Sequence, residues 1–276
     1  MPNKEEFRSK KPTFKIQLNG LFGTGKTHFG LTFPKVFYIG TEPGGLDLLH
    51  VAVNNPLLDN LVEYEYFLPS THEEVRGMFK EPSGKDEGGA IYKAARRAKE
   101  LYAKGEVETL FLDNLTYTSE KFWLYINTFQ KVISAKTGNV DTQGMYGELA
   151  RWLFRFISME IVNFPGNVIV SCHLKRESEE AMEDKIDKSA DISPNILGGF
   201  RNQSEGMFGA SLYLDREITP DGKPKFIAYC QKARAMGSTI NAKNRYGLPV
   251  KVENVSYQTL MESVKQIKEP AKQVQQ

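Results

Sequence analysis

The sequence predicts an α/β fold: a mainly parallel central sheet flanked by helices, with a C-terminal β-hairpin extension. Three observations point there. First, the alternating run Phe14-Lys15-Ile16-Gln17-Leu18 leads into a glycine-rich turn, Gly20 to Thr27, and then into a stretch from His28 that can continue as a helix. Second, Val36-Phe37-Tyr38-Ile39, Leu110-Phe111-Leu112 and Val168-Ile169-Val170-Ser171-Cys172 are nearly continuous in apolar residues, as buried parallel strands are. Third, the apolar runs 210–214 and 225–230 flank Pro220-Asp221-Gly222-Lys223, a hairpin signal. A chain of 276 residues, 40% of them hydrophobic, has enough apolar material for one such domain. Its bounds are read as a loose charged arm at 1–12, one domain at 13–256, and a C-terminal helix with a frayed polar tail at 257–276.

The bulk composition excludes several classes. No apolar run approaches the length of a membrane span, and the opening MPNKEEFRSKKP is charged rather than signal-like, so no membrane partner and a cytoplasmic location are expected. The only cysteines, Cys172 and Cys230, each lie in an apolar run, which points to reduced, buried thiols. With 36 basic and 34 acidic residues the net charge is +2, so any contact with nucleic acid must come from local patches.

In chain order, the first element is strand, turn and helix around GLFGTGKT, Gly20 to Thr27. The spacing G-x4-G-K-T is met in full. Glycines let successive backbone N–H groups (those of Gly20, Phe22, Gly23, Thr24, Gly25 and His28 among them) turn around an anion, and the helix start adds positive potential. Lys26 reaches the β and γ phosphates of a nucleoside triphosphate in such a loop, and the Thr27 hydroxyl holds Mg²⁺. A nucleoside triphosphate with Mg²⁺ is therefore the expected ligand, with ATP and GTP both open at this point.

The next strand, 36–39, ends at Gly40-Thr41-Glu42-Pro43-Gly44-Gly45, which puts Glu42 at a strand's carboxyl end, where open parallel sheets bind ligands. A carboxylate there can align and polarise an attacking water. Residues 62–67 alternate like a strand, and Ser70-Thr71-His72-Glu73-Glu74 reads as a helix start. A loop at 81–89 precedes a helix at about 90–104, whose Lys93, Arg96, Arg97 and Lys99 read as a solvated face. The apolar strand that ends in Asp113 places a carboxylate to hold the metal's water shell opposite Thr27. Asn114, not Glu, follows it, so the water-activating group has to come from elsewhere, and Glu42 is the candidate.

Helices are expected at 115–133 and 144–163, their aromatic stripes core rather than base-stacking, with a polar flexible loop at 134–143 between them. His173 closes the strand 168–172, where a polar side chain can sense a γ phosphate. Residues 174–206 form a long, charge-rich insertion near whose end Phe200 and Arg201 are the candidate DNA contacts. After the hairpin, Lys232-Ala233-Arg234 is a Lys-x-Arg step suited to reaching a neighbouring subunit's γ phosphate.

GLFGTGKT, YIGTEPG, ETLFLDN, VIVSCH and CQKAR occur in an order that resembles the RecA-like ATPase core, a family of recombinases, replicative hexameric helicases and clock ATPases. The compact length and KARAMGSTINAKNRYGLP look like the phage-encoded minimal RecA-core proteins of single-strand annealing and recombination, phage AAA-type nucleotide-binding proteins. The resemblance implies a RecA-like P-loop NTPase fold and a Mg-dependent, DNA-stimulated ATPase that is active as a ring or filament. In it Lys26 and Thr27 serve phosphates and Mg²⁺, Asp113 serves the metal, Glu42 activates water, His173 senses the γ phosphate, and Lys232 and Arg234 act in trans. The implied partners are single-stranded DNA, lying along 134–143 and 174–206, further copies of the chain, and a single-strand-binding protein. A phage origin would make the location the host cytoplasm. The chain departs from the family in a longer, more acidic second loop and in lacking an evident separate DNA-binding domain. The alternatives are a nucleotide or small-molecule kinase and a nucleotide-gated scaffold with little hydrolysis.

Overall fold

The computed structural model describes residues 13–47, 55–176, 192–235, 238–240 and 242–268. The expected N-terminal arm, the middle of the 174–206 insertion and the end of the tail lie outside them.

The strands are β1 (Lys15–Gly20), β2 (Val36–Gly40), β3 (Leu61–Tyr66), β4 (Thr109–Asp113), β5 (Asn167–Arg176), β6 (Ile192–Pro194), β7 (Ala210–Ile218), β8 (Pro224–Tyr229), β9 (Ala233–Ala235), β10 (Ser238–Ile240), β11 (Lys243–Asn244) and β12 (Lys251–Glu253). The main sheet runs β12-β8-β7-β1-β5-β4-β2-β3, with β11 on β7 and β6 on β5. From β3 to β7 every pairing is parallel; β8 and β12 add antiparallel strands at the C-terminal side. This is the mainly parallel central sheet with C-terminal antiparallel strands that the sequence leads one to expect, with the hairpin β7–β8 closing on Gly222 at φ 80°.

Helices α1 (Lys26–Leu31), α2 (His72–Phe79), α3 (Ala90–Ala103), α4 (Leu115–Phe129), α5 (Thr142–Arg155), α6 (Arg201–Ser204) and α7 (Tyr257–Lys268) cover the two faces. The strand period of two sorts the core. Phe37, Ile39, Leu110, Leu112, Val168 and Val170 pack under α2 to α5, while Val36, Tyr38, Phe111 and Ile169 pack with α1 and with Leu260 and Val264 of α7. Gly30 lets α1 lie close on β4: a Cβ there would stand 2.2 Å from the Phe111 ring.

Some element bounds differ from the expected ones for local reasons. Helix α4 stops at Phe129, and Ile133 then bridges Val140, so the polar stretch between the aromatic helices is a tight loop. Helix α5 starts earlier because Asp141 caps it, accepting from the Gly144 N–H, and it continues as a π-helical turn over Phe156–Val162. The insertion after His173 begins as the end of β5, and within it β6 pairs back on β5 ahead of α6. Three of the basic residues of α3 are ion-paired, Arg97 with Glu63, and Arg96 and Lys99 with Glu160. Both cysteines are free and buried, as their apolar setting predicts, and burial pushes the Cys230 thiol up to about 12. Among the described residues no helix is long and apolar enough to cross a membrane.

Candidate active site

The carboxyl ends of β1, β2, β4 and β5 converge on one cleft of about 340 Å³, lined by the P-loop residues Phe22, Gly23, Gly25, Lys26, Thr27 and His28, by Glu42 to Gly45, and by His173 and Phe226. The P-loop turns on Gly23 and Gly25, at φ 73° and 84°, where a side chain would be strained. Its first glycine is constrained by space: a Cβ on Gly20 would meet Thr24 Oγ1 at 2.3 Å.

Lys26 curls back over the loop. Its ammonium donates to the carbonyls of Gly20 at 3.0 Å and Leu21 at 2.8 Å and lies 3.3 Å from His173 Nδ1. Burial pulls the lysine below its ordinary range, against the opposing charges of Asp113 and Glu42.

Thr27 Oγ1 donates to Asp113 Oδ2 at 2.7 Å. Asp113 is fully buried and also accepts from Tyr38 OH at 3.1 Å and from Ser171 Oγ. Burial raises its carboxyl above the usual range, and the hydrogen bonds from Ser171 and Thr27 oppose that rise. A hydroxyl and a carboxylate side by side are hard oxygen donors of the kind Mg²⁺ takes alongside substrate phosphates, so the donor set fits that ion.

Glu42 stands on the far side of His173 from Lys26. Since lysine only donates, His173 Nδ1 accepts from Lys26, and Nε2–H donates to Glu42 Oε2 at 3.2 Å. Asn114 meets both groups: its Nδ2 donates to Glu42 Oε2 and lies 3.0 Å from His173 Nε2. Burial alone would lift the Glu42 carboxyl. The hydrogen bond from His173, then the charge of Lys26 and the hydrogen bond from Asn114, outweigh it and hold Glu42 below the ordinary carboxylate range. Phe22, 70% exposed, stacks on the His173 ring with centroids 4.0 Å apart.

Lys26 and Thr27 at the start of α1, Glu42 in the turn after β2, Asp113 at the end of β4 and His173 in β5 are thus brought together. Asn114, Ser171 and Tyr38 were not expected there. Asn114 carried one readable signal, as an Asn before Leu115-Thr116-Tyr117 that caps α4 by accepting from the Tyr117 N–H at 2.9 Å. Lys232 and Arg234 are exposed, in the turn before β9 and on it, and are not among the residues lining the cleft. Phe200 is 0% exposed and packs in the core, which corrects its reading as a DNA contact: a ring with no free face cannot stack on a base. Its neighbour Arg201 is partly exposed at the start of α6.

A family model described as an AAA domain, AAA_24, matches residues 13–246. No curated protein matches the sequence. Solved structures similar in fold include a prototypical ATPase from the type III secretion system of pathogenic bacteria, at 11% identity and TM-score 0.46, covering 92% of this chain and 62% of that one. A KaiC-like protein from the hyperthermophilic archaeon Pyrococcus horikoshii OT3 matches at 10% identity and TM-score 0.36, over 88% and 90% of the two chains. The RadB recombinase matches at 14% identity and TM-score 0.37, over 84% and 92%. The chain thus spans less than two thirds of the secretion ATPase.

Proposed function

The chain belongs to the AAA-domain family whose model covers residues 13–246, and from that premise we propose that it hydrolyses ATP with Mg²⁺ at this cleft, as an oligomer acting on single-stranded DNA in phage recombination or replication. One observation carries the catalytic part: Lys26, Thr27, Asp113, Glu42 and His173, spread over the chain, meet at one sheet edge. Thr27 and, through its water shell, Asp113 would hold Mg²⁺, which supplies charge neutralisation across the β and γ phosphates. Lys26 exchanges its carbonyl partners for phosphate oxygens. Glu42 takes a proton from water as the water oxygen bonds to the γ phosphorus; the bond from that phosphorus to the β–γ bridging oxygen breaks, and ADP and phosphate leave. His173, joined to both Lys26 and Glu42, is placed to pass the presence of the γ phosphate between them.

DNA and self-association as parts of this reading rest on the sequence resemblance, and Lys232 and Arg234 are the trans-acting pair in it. The test is ATP turnover with and without single-stranded DNA. Glu42→Gln should keep ATP binding and lose roughly 10²-fold or more in turnover, the size of a general-base contribution. Unchanged turnover removes Glu42 from the role. Phosphate transferred to a nucleoside, in place of free phosphate, replaces hydrolysis with a kinase activity.

A further inference from the structure

Phe226 reaches the cleft from a strand outside the parallel sheet, and the register shows how. Gly20, the last residue of β1, pairs with Leu214 of β7, and Leu214 pairs with Ala228 of β8. Phe226 is two residues further out, opposite Arg216, so the hairpin overhangs the carboxyl edge of the sheet. Its ring lies against the P-loop backbone: a Cβ on Gly25 would stand 2.6 Å from it. The His28 ring is 5.2 Å from the Phe226 ring, with the planes 32° apart, and both line the cleft.

The sheet order fixes which end of a triphosphate meets this pair. Asp113, Glu42 and His173 come from β4, from the turn after β2 and from β5, all on one side of β1, while β8 lies on the other. A triphosphate whose terminal phosphorus faces Glu42 directs its nucleoside across the P-loop toward His28 and Phe226. We infer that Phe226, flanked by His28, is the platform on which the nucleobase stacks. The inference rests on the P-loop reading above and adds to it how the nucleoside is held. A phenyl face offers no hydrogen bond to a base edge, so it grips adenine and guanine by the same contact.

The test compares ATP, GTP and inorganic tripolyphosphate, which has the phosphates without the nucleoside, by calorimetry on the full chain. Phe226→Leu keeps an apolar side chain of similar reach and removes the ring. ATP and GTP affinity should each fall about tenfold, the range seen for base–aromatic stacking, with tripolyphosphate affinity unchanged. Phe226→Tyr should bind all three as the parent does. Equal loss for all three ligands overturns the inference, because Phe226 then only shapes the loop around Gly25; loss for none overturns it too. A parent that binds neither ATP nor tripolyphosphate removes the P-loop reading and this inference with it. Lys26→Ala losing both ATP and tripolyphosphate while Phe226→Leu loses neither removes the platform alone.

Discussion

At the scale of single residues, Glu42 depends on what surrounds it. Burial works against its ionised form, and His173, Lys26 and Asn114 reverse that balance, so it stays a carboxylate below the ordinary carboxylate range. A base works only when deprotonated, so activity is present above its pKa and lost as pH falls through it. His173→Ala removes a donor that lowers this pKa, so the acid limb of kcat/KM should move to higher pH. A pH–rate profile of the variant checks this, and an unmoved limb counts against the coupling. Glu42, Asp113 and His173 could be found in the sequence because each is a polar residue at the end of an apolar strand. Tyr38 and Ser171 could not: both grip Asp113 from neighbouring strands, and which strands are neighbours is not written locally. Phe226 was hidden for the same reason, inside an ordinary hairpin strand.

At the scale of elements, the helical layer over β2, β4 and β5 is knitted by aromatic rings. Trp152 of α5 stacks on Phe122 of α4 with centroids 3.7 Å apart and on Phe156 at 5.0 Å, and meets Phe79 of α2 edge-on. This is the core role expected of those stripes from their helical spacing. Trp152→Ala should cost about 3–5 kcal/mol, the range for deleting a large buried aromatic, with a smaller loss for Trp152→Phe. Urea unfolding of the variants measures both. Strands and helices were readable as elements because β2 and β4 are buried along their whole length and α3 keeps a regular apolar face. Their ends were less readable, since a capping residue such as Asp141 decides where a helix starts. The sheet order was not readable, being a matter of long-range pairing.

At the scale of the whole molecule, Lys232 and Arg234 are exposed and are not among the residues lining their own cleft. If each subunit lends them to a neighbour, turnover per chain should rise with protein concentration. A mixture of Lys26→Ala and Arg234→Ala chains should exceed the sum of the two alone, because the first supplies an intact finger to the intact P-loop of the second. Activities that merely average speak against a shared site; phosphate release across mixing ratios tells the two apart. The span of the cleft, from Phe22 to Phe226, also bears on biogenesis and turnover. A nascent chain still lacking its hairpin has no finished binding surface, so nucleotide uptake would wait until residues 210–229 have been made. Afterwards a ligand at a hundred times its Kd adds about 2.7 kcal/mol against global unfolding. Proteases that need that unfolding should then be slowed at every bond it exposes, so resistance to digestion should rise when nucleotide is added.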